Sequence, residues 1–85
     1  MAPNPFKSGT EIIIELPKED VVDVNVFDAS GRLIKSIVSG NLNADRQQFH
    51  WNGTDLNGMM LNPGIYYVVA TTSSKVITEK VVILK

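Results

Sequence analysis

Cysteine is absent from this chain of 85 residues. No disulfide braces it and no thiolate holds a metal, so the apolar core must carry the fold. Histidine is scarce too, with His50 alone. The usual zinc sites need two or more His or Cys ligands, which this composition does not supply. A Ser-His-Asp arrangement would have to use His50, which stands mid-strand beside Trp51 and reads as a solvent-facing strand residue. Apolar runs are short, as in Val81 to Leu84. A membrane-spanning segment would need about 20 such residues in a row, so none is expected. An excess of charge is also missing: eight basic and nine acidic residues are spread along the chain, for a net charge of −1. With no basic patch, no nucleic-acid partner and no anionic membrane surface is expected. The opening "MAPNPFKSG" lacks the apolar stretch of a signal peptide.

What is present is strand signal. A single small domain is expected, one that buries only about 60% of its unfolded surface or slightly more. "TEIIIEL" (10–16) is rich in β-branched residues and stops at Pro17. In "VVDVNVFD" (21–28), Val22, Val24 and Val26 alternate with Asp23 and Asn25. "DASG" (28–31) is a tight-turn sequence, and "RLIKSIVS" (32–39) completes a β-hairpin with the strand before it. "GNLNAD" (40–45) reads as a loop and "RQQFHW" (46–51) as a further alternating strand. "IYYVVATTS" (65–73) and "KVITEKVVILK" (75–85) form a second hairpin. No window carries helical spacing. Six strands, with a seventh short one near Pro5-Phe6, predict an all-β, antiparallel β-sandwich. Residues 1–9 are expected to form a linker edge with that first short strand, and residues 10–85 the sandwich. The expected core is Ile12, Ile14, Leu16, Val22, Val24, Val26, Phe49, Trp51, Tyr66, Val68 and Ala70. The last strand is apolar on both faces, Ile77, Val81 and Ile83 against Val76, Val82 and Leu84, and either set can face inward.

The loop "WNGTDLNGMMLNPGIYY" (51–67) gathers three of the six glycines. Gly53 and Gly58 have the separation of a phosphate-binding loop, but Met59 and Met60 stand where Lys and Ser/Thr are needed. Asp55-Leu56-Asn57-Gly58 resembles the middle of a calcium loop, yet its first and twelfth positions would be Gly53 and Gly64, which bring no carboxylate. Asn52-Gly53-Thr54 is a glycosylation sequon, a triplet that also arises by chance. A structural reading covers more. Asn-Gly pairs favour positive φ, and Asp55 and Asn57 can take backbone N–H groups in Asx-turns. Trp51 and Tyr66 then anchor the two ends. Glu11 and Glu15 share a strand face about 13 Å apart, too far for paired acid-base chemistry and suited to solvation. No catalytic residue, cofactor or metal ligand is assigned, so the chain is not expected to be an enzyme. Phe27 and Tyr67 are the one plausible exposed aromatic pair for a carbohydrate-binding module, a weak signal.

The motifs taken in order carry a resemblance. Pro3-Asn4-Pro5-Phe6 opens the chain, and "VNVFDASGRLIKSI" holds a strand, Asp-x-x-Gly-Arg and a second strand. The glycine loop runs from Trp51 to Tyr66, and the chain ends "EKVVILK". This set resembles the type A C-terminal sorting domain of proteins exported by the type IX secretion system of Bacteroidetes-type bacteria. The central loop is shared with the Ig-like domain of flagellar hook-capping proteins. Met1-Ala2 stands where the sorting family usually has an aromatic before Pro-Asn-Pro. The resemblance implies an Ig-like sandwich of about seven strands that is not catalytic. It implies an N-terminal cargo domain in a larger parent protein, and passage through the periplasm and outer membrane to a secreted or cell-surface location. The implied partners are the type IX secretion translocon and surface sortase components. The implied recognition elements fall on Pro3, Asn4, Pro5 and Phe6, on Gly31 and Arg32, and on Lys80, Val81, Val82, Ile83, Leu84 and Lys85. The alternative implied by the shared loop is a structural Ig-like spacer.

Overall fold

The structure, a computed structural model, describes residues 9–84. Six strands follow in chain order: β1 (Thr10–Leu16), β2 (Asp20–Asp28), β3 (Leu33–Leu42), β4 (Asp45–Trp51), β5 (Gly64–Thr71) and β6 (Val76–Ile83). β1 and β4 form a two-stranded antiparallel sheet, and the other four form an antiparallel sheet in the order β3-β2-β5-β6. The two hairpins read from the sequence, β2-β3 and β5-β6, are both present. The chain folds as an all-β antiparallel sandwich with no helix among the described residues. The short strand expected near Pro5-Phe6 lies outside them.

The core sits between the sheets, where period-two alternation points one face of each strand inward. Ile12, Val22, Val24, Val26, Val68 and Val81 are fully buried. Each side chain of this size contributes about 1.5–3 kcal/mol on full burial, which matters in a chain without a covalent brace. Ten of the eleven expected core residues are buried; Phe49 is only half-buried, packed against the core from its margin. β6 is settled by register. Val81 pairs with Tyr66 and Ile83 with Gly64, and Val81 and Ile83 face inward while Val76 stands exposed. Ile77, in phase with the inward pair, lies beyond the core and remains partly exposed. Ile34 joins the core through a register shift between Val26 and Phe27, a bulge that adds one residue to β3 opposite β2.

One boundary differs from expectation. Gly40, Asn41 and Leu42 continue β3 opposite Val22, Val21 and Asp20, and Asp45 already belongs to β4. The connection shrinks to Asn43-Ala44. Asp45 takes φ 79°, the one positive value among described non-glycine residues, a conformation that Asp tolerates better than most residue types. This corner carries the chain from one sheet to the other. At the start of β5, the Tyr66 hydroxyl donates to the Asn62 carbonyl at 2.8 Å. It is the tyrosine corner known from Ig-type sandwiches.

Candidate functional site

Two five-residue loops lie at the same end of the sandwich and are built alike. In Asp28-Ala29-Ser30-Gly31-Arg32, Asp28 Oδ1 accepts the N–H groups of Ser30 (2.9 Å) and Arg32 (3.0 Å). Gly31 N–H donates to the Asp28 carbonyl at 3.0 Å, and Asp28 N–H to the Arg32 carbonyl at 3.0 Å. In Asp55-Leu56-Asn57-Gly58-Met59, Asp55 Oδ1 accepts the N–H groups of Asn57 (2.9 Å) and Met59 (3.0 Å). Gly58 N–H donates to the Asp55 carbonyl at 3.0 Å, and Asp55 N–H to the Met59 carbonyl at 2.9 Å. Gly31 and Gly58 take φ of 88° and 78°, which only glycine adopts without cost. The carboxylate of each loop is thus bonded inward to its own backbone.

The physical chemistry of the first loop is visible in its charge. Bonding from the Ser30 hydroxyl, then from the Arg32 N–H, holds the Asp28 carboxyl below the usual range. The Arg32 guanidinium lies 3.4 Å from Asp28 Oδ2 but remains 78% exposed. Tyr66 is pushed up, by burial first and by the Asp28 charge second. The second loop is pinned to the start of β3, just after the first loop. Leu56 N–H donates to the Ile34 carbonyl at 3.0 Å, and Lys35 Nζ lies 3.5 Å from the Asp55 carbonyl. A shallow cleft of about 280 Å³ between them is lined by Arg32, Leu33, Ile34, Asp55, Leu56 and Asn57.

Behind this end stands the anchor expected from the sequence. Trp51 is buried, and its ring meets Tyr66 edge-on at 6.5 Å between centroids and 72° between planes. Trp51 Nε1 donates to the Thr54 carbonyl at 3.0 Å, and Thr54 Oγ1 donates to Asn52 Oδ1 at 2.6 Å. The sequon threonine is therefore a buried structural residue. Leu61 N–H to the Gly53 carbonyl (2.9 Å) closes the base of the loop.

The structure brings some of the candidate recognition residues together. In register, Phe27 faces both Leu33 and Tyr67, and Tyr67 faces Lys80; Asp28 faces Tyr66, which faces Val81. The Gly31-Arg32 hairpin and the C-terminal half of β6 thus share one end of the four-stranded sheet, with β5 between β2 and β6. Val81 and Ile83 are core residues, Val82 is half-buried, and Lys80 and Leu84 are exposed. Pro3, Asn4, Pro5, Phe6 and Lys85 lie outside the described residues. Phe27 and Tyr67 are half-buried and paired with each other. At the margin of the other sheet, exposed His50 meets Glu11 at 2.7 Å, and that bond lowers the Glu11 carboxyl below its ordinary value. Sequence reasoning missed that Asp28-x-Ser-Gly and Asp55-x-Asn-Gly are one motif used twice; their shared spacing is legible once an Asp followed three residues on by Gly is sought.

Residues 4–75 match the FlgD Ig-like domain family. The chain belongs to that family. No curated protein matches it. Among solved structures, it is similar to dimeric latent PorU from Porphyromonas gingivalis, at 18% identity and a TM-score of 0.82, over 99% of this chain and 9% of that one. It is similar to FlgD from P. aeruginosa at 29% identity and a TM-score of 0.65, over 85% of this chain and 58% of that one. A third likeness is to an uncharacterized Bacillus anthracis str. Ames protein, 20% identical with a TM-score of 0.72, over 100% of this chain and 80% of that one. This Ig-like unit therefore spans about a tenth of the PorU chain and somewhat over half of FlgD. The PorU and Bacillus likenesses establish the fold.

Proposed function

We propose that this Ig-like domain is a non-catalytic sorting module, the C-terminal unit that directs a larger cargo protein through the type IX secretion system to the cell surface. The observation that carries the reading is a convergence at one end of the sandwich. The Asp28–Arg32 hairpin and the C-terminal half of β6, both assigned to recognition by the family resemblance, stand at one end of the same sheet with β5 between them. The translocon and surface sortase components are the partners in this reading. Val81 and Ile83 complete the core, so a partner that meets the intact fold meets Arg32, Lys80 and Leu84. The test is a fluorescent reporter fused ahead of residues 1–85 in a type IX-competent Bacteroidetes host and in a translocon-deficient strain. Reporter on the surface or in the medium of the competent strain only is the expected result. Equal periplasmic retention in both strains sinks the reading.

A second reading is favoured by a different observation. The family match over residues 4–75 and the 29% identity to FlgD support a structural Ig-like module that packs against neighbouring domains. A spacer works at any position in its parent, whereas a sorting module works only at the C-terminal end. Moving the domain ahead of the reporter separates the two.

A further inference from the structure

The connection from β4 to β5 holds two Asn-Gly pairs, Asn52-Gly53 and Asn57-Gly58. Asparagine before glycine has a chemistry of its own. The backbone nitrogen of the following residue can attack the side-chain amide carbon, and glycine, lacking Cβ, leaves that nitrogen unshielded. The other described asparagines precede Val26, Leu42 and Ala44, whose side chains crowd the attack, or Pro63, which has no N–H to lose. By sequence the two Asn-Gly pairs are equivalent, but their settings differ. Asn52 Oδ1 is held by the Thr54 hydroxyl at 2.6 Å, and Gly53 and Thr54 are buried. The Gly53 carbonyl accepts the Leu61 N–H, and the Thr54 carbonyl accepts Trp51 Nε1. Turning the Asn52 amide onto the Gly53 nitrogen therefore disturbs the packing around Trp51. Asn57 and Gly58 are both exposed, and the Asn57 amide has no hydrogen-bond partner among the described residues. A Cβ at Gly58 would meet nothing within 4 Å, so the space for a new ring is open. The Gly58 N–H is bonded to the Asp55 carbonyl. That bond is a surface turn bond, broken by local opening with no buried side chain displaced.

We infer that Asn57 is a site of spontaneous deamidation in the folded protein, and that the fold protects Asn52 from the same reaction. The Gly58 nitrogen gives its proton to solvent hydroxide and bonds to Asn57 Cγ. The Cγ–Nδ2 bond breaks, and the amide leaves as ammonia with a proton drawn from water. Water then opens the cyclic imide. Cleavage at Cγ leaves aspartate; cleavage at the main-chain carbonyl leaves isoaspartate, with the main chain routed through the side-chain carbons. No co-reactant but water is needed. Either product sets a new carboxylate beside Asp55. Isoaspartate also lengthens the chain between the N–H groups of residues 57 and 59, the two that Asp55 Oδ1 accepts. The conversion therefore loosens the 55–59 loop. The 28–32 loop has no counterpart, because Ser30 stands where its twin has Asn57. The inference stands apart from the sorting reading.

The test incubates the full chain in mildly alkaline buffer, once folded and once unfolded in urea, and follows both asparagines by peptide mass mapping. In the folded chain, Asn57 is expected to convert about tenfold faster than Asn52 or more, the ratio that a modest difference in local opening produces. In urea the two are expected to convert at similar rates, since the protection of Asn52 belongs to the fold. The isoaspartate product, separated by its added charge on ion exchange, is expected to lose hydrogen-exchange protection at the Met59 amide while the Arg32 amide keeps its own. Equal rates in the folded chain, faster conversion at Asn52, or an Asn57 that stays intact when folded while the unfolded chain converts overturns the inference. So does loss of protection in both loops of the product.

Discussion

The loops at residues 28–32 and 55–59 make the same bonds but reach them by different routes. The first closes a hairpin between neighbouring strands, so the β2-β3 ladder already brings Asp28 and Arg32 together. The second lies inside the twelve-residue connection from β4 to β5, which belong to different sheets. At its base stand the isolated Thr54–Met60 bridge and the bond from the Leu61 N–H to the Gly53 carbonyl, with no ladder of neighbouring strands. Its support comes from outside: the Trp51 indole N–H on the Thr54 carbonyl, and the Leu56 N–H on the Ile34 carbonyl. The five residues dictate the turn in both cases, because Asp at the first position and Gly at the fourth satisfy the same backbone groups. What differs is the anchoring, and with it the freedom to present Leu56, Met59 and Met60.

The largest effect comes from removing the anchor. Trp51→Ala is expected to cost about 3–5 kcal/mol, most of the stability of so small a domain, and urea denaturation will record loss or near-loss of the cooperative transition. Trp51→Phe keeps the ring and removes the donor. It is expected to leave the 28–32 hairpin protected from hydrogen exchange while the amides of Asn57 and Met59 exchange faster. Uniform loosening of both loops contradicts the difference in anchoring.

Glycine replacement tests the sameness instead. A Cβ at Gly31 or at Gly58 meets nothing within 4 Å, so the cost is conformational, roughly 1–2 kcal/mol in each loop. Equal losses in the midpoints of Gly31→Ala and Gly58→Ala support one motif used twice. A cost at Gly31 and none at Gly58 shows that the longer loop relaxes. Asp28→Ala and Asp55→Ala come next, each lowering Tm slightly and raising amide exchange at residues 30 and 32, or at 57 and 59. The smallest effect is with pH. The Asp28 carboxyl is lowered in the folded state by the Ser30 hydroxyl bond first. Its contribution is therefore fully present above the unfolded value of about 3.9 and fades as pH falls through the lower folded value. Asp28→Asn is expected to shrink the loss of stability below about pH 4, and an unchanged acid profile contradicts it.

Much of the fold was legible because period two is a strong signal. Val22, Val24 and Val26 alternate with polar residues, and all three are buried as alternation requires. The turns were legible because Asn-Gly and Asp-x-x-Gly have local backbone solutions, and Gly53 and Gly58 do take φ of 77° and 78°. Where local signals failed, pairing had overridden them. Gly40 and Asn41 are poor strand formers, yet ladder bonds to Val22 and Val21 extend β3 through them. Phe49 alternates correctly but sits on a two-stranded sheet whose strands are both edges, and it packs against the core only in part. The recognition residues were nameable one by one, but their common end was not, since Arg32 and Lys80 are 48 positions apart in the chain.

The order of apolar and polar residues alone determined that this protein makes strands, where it turns, and which side of most strands is buried, because each of these depends on neighbours within a few residues. Only the tertiary structure decided the sheet order, the inward face of β6 and the meeting of the Asp28–Arg32 hairpin with the C-terminal half of β6 at one end. Those follow from pairing between distant segments, where a strand apolar on both faces has two equal local solutions until its partner is in place.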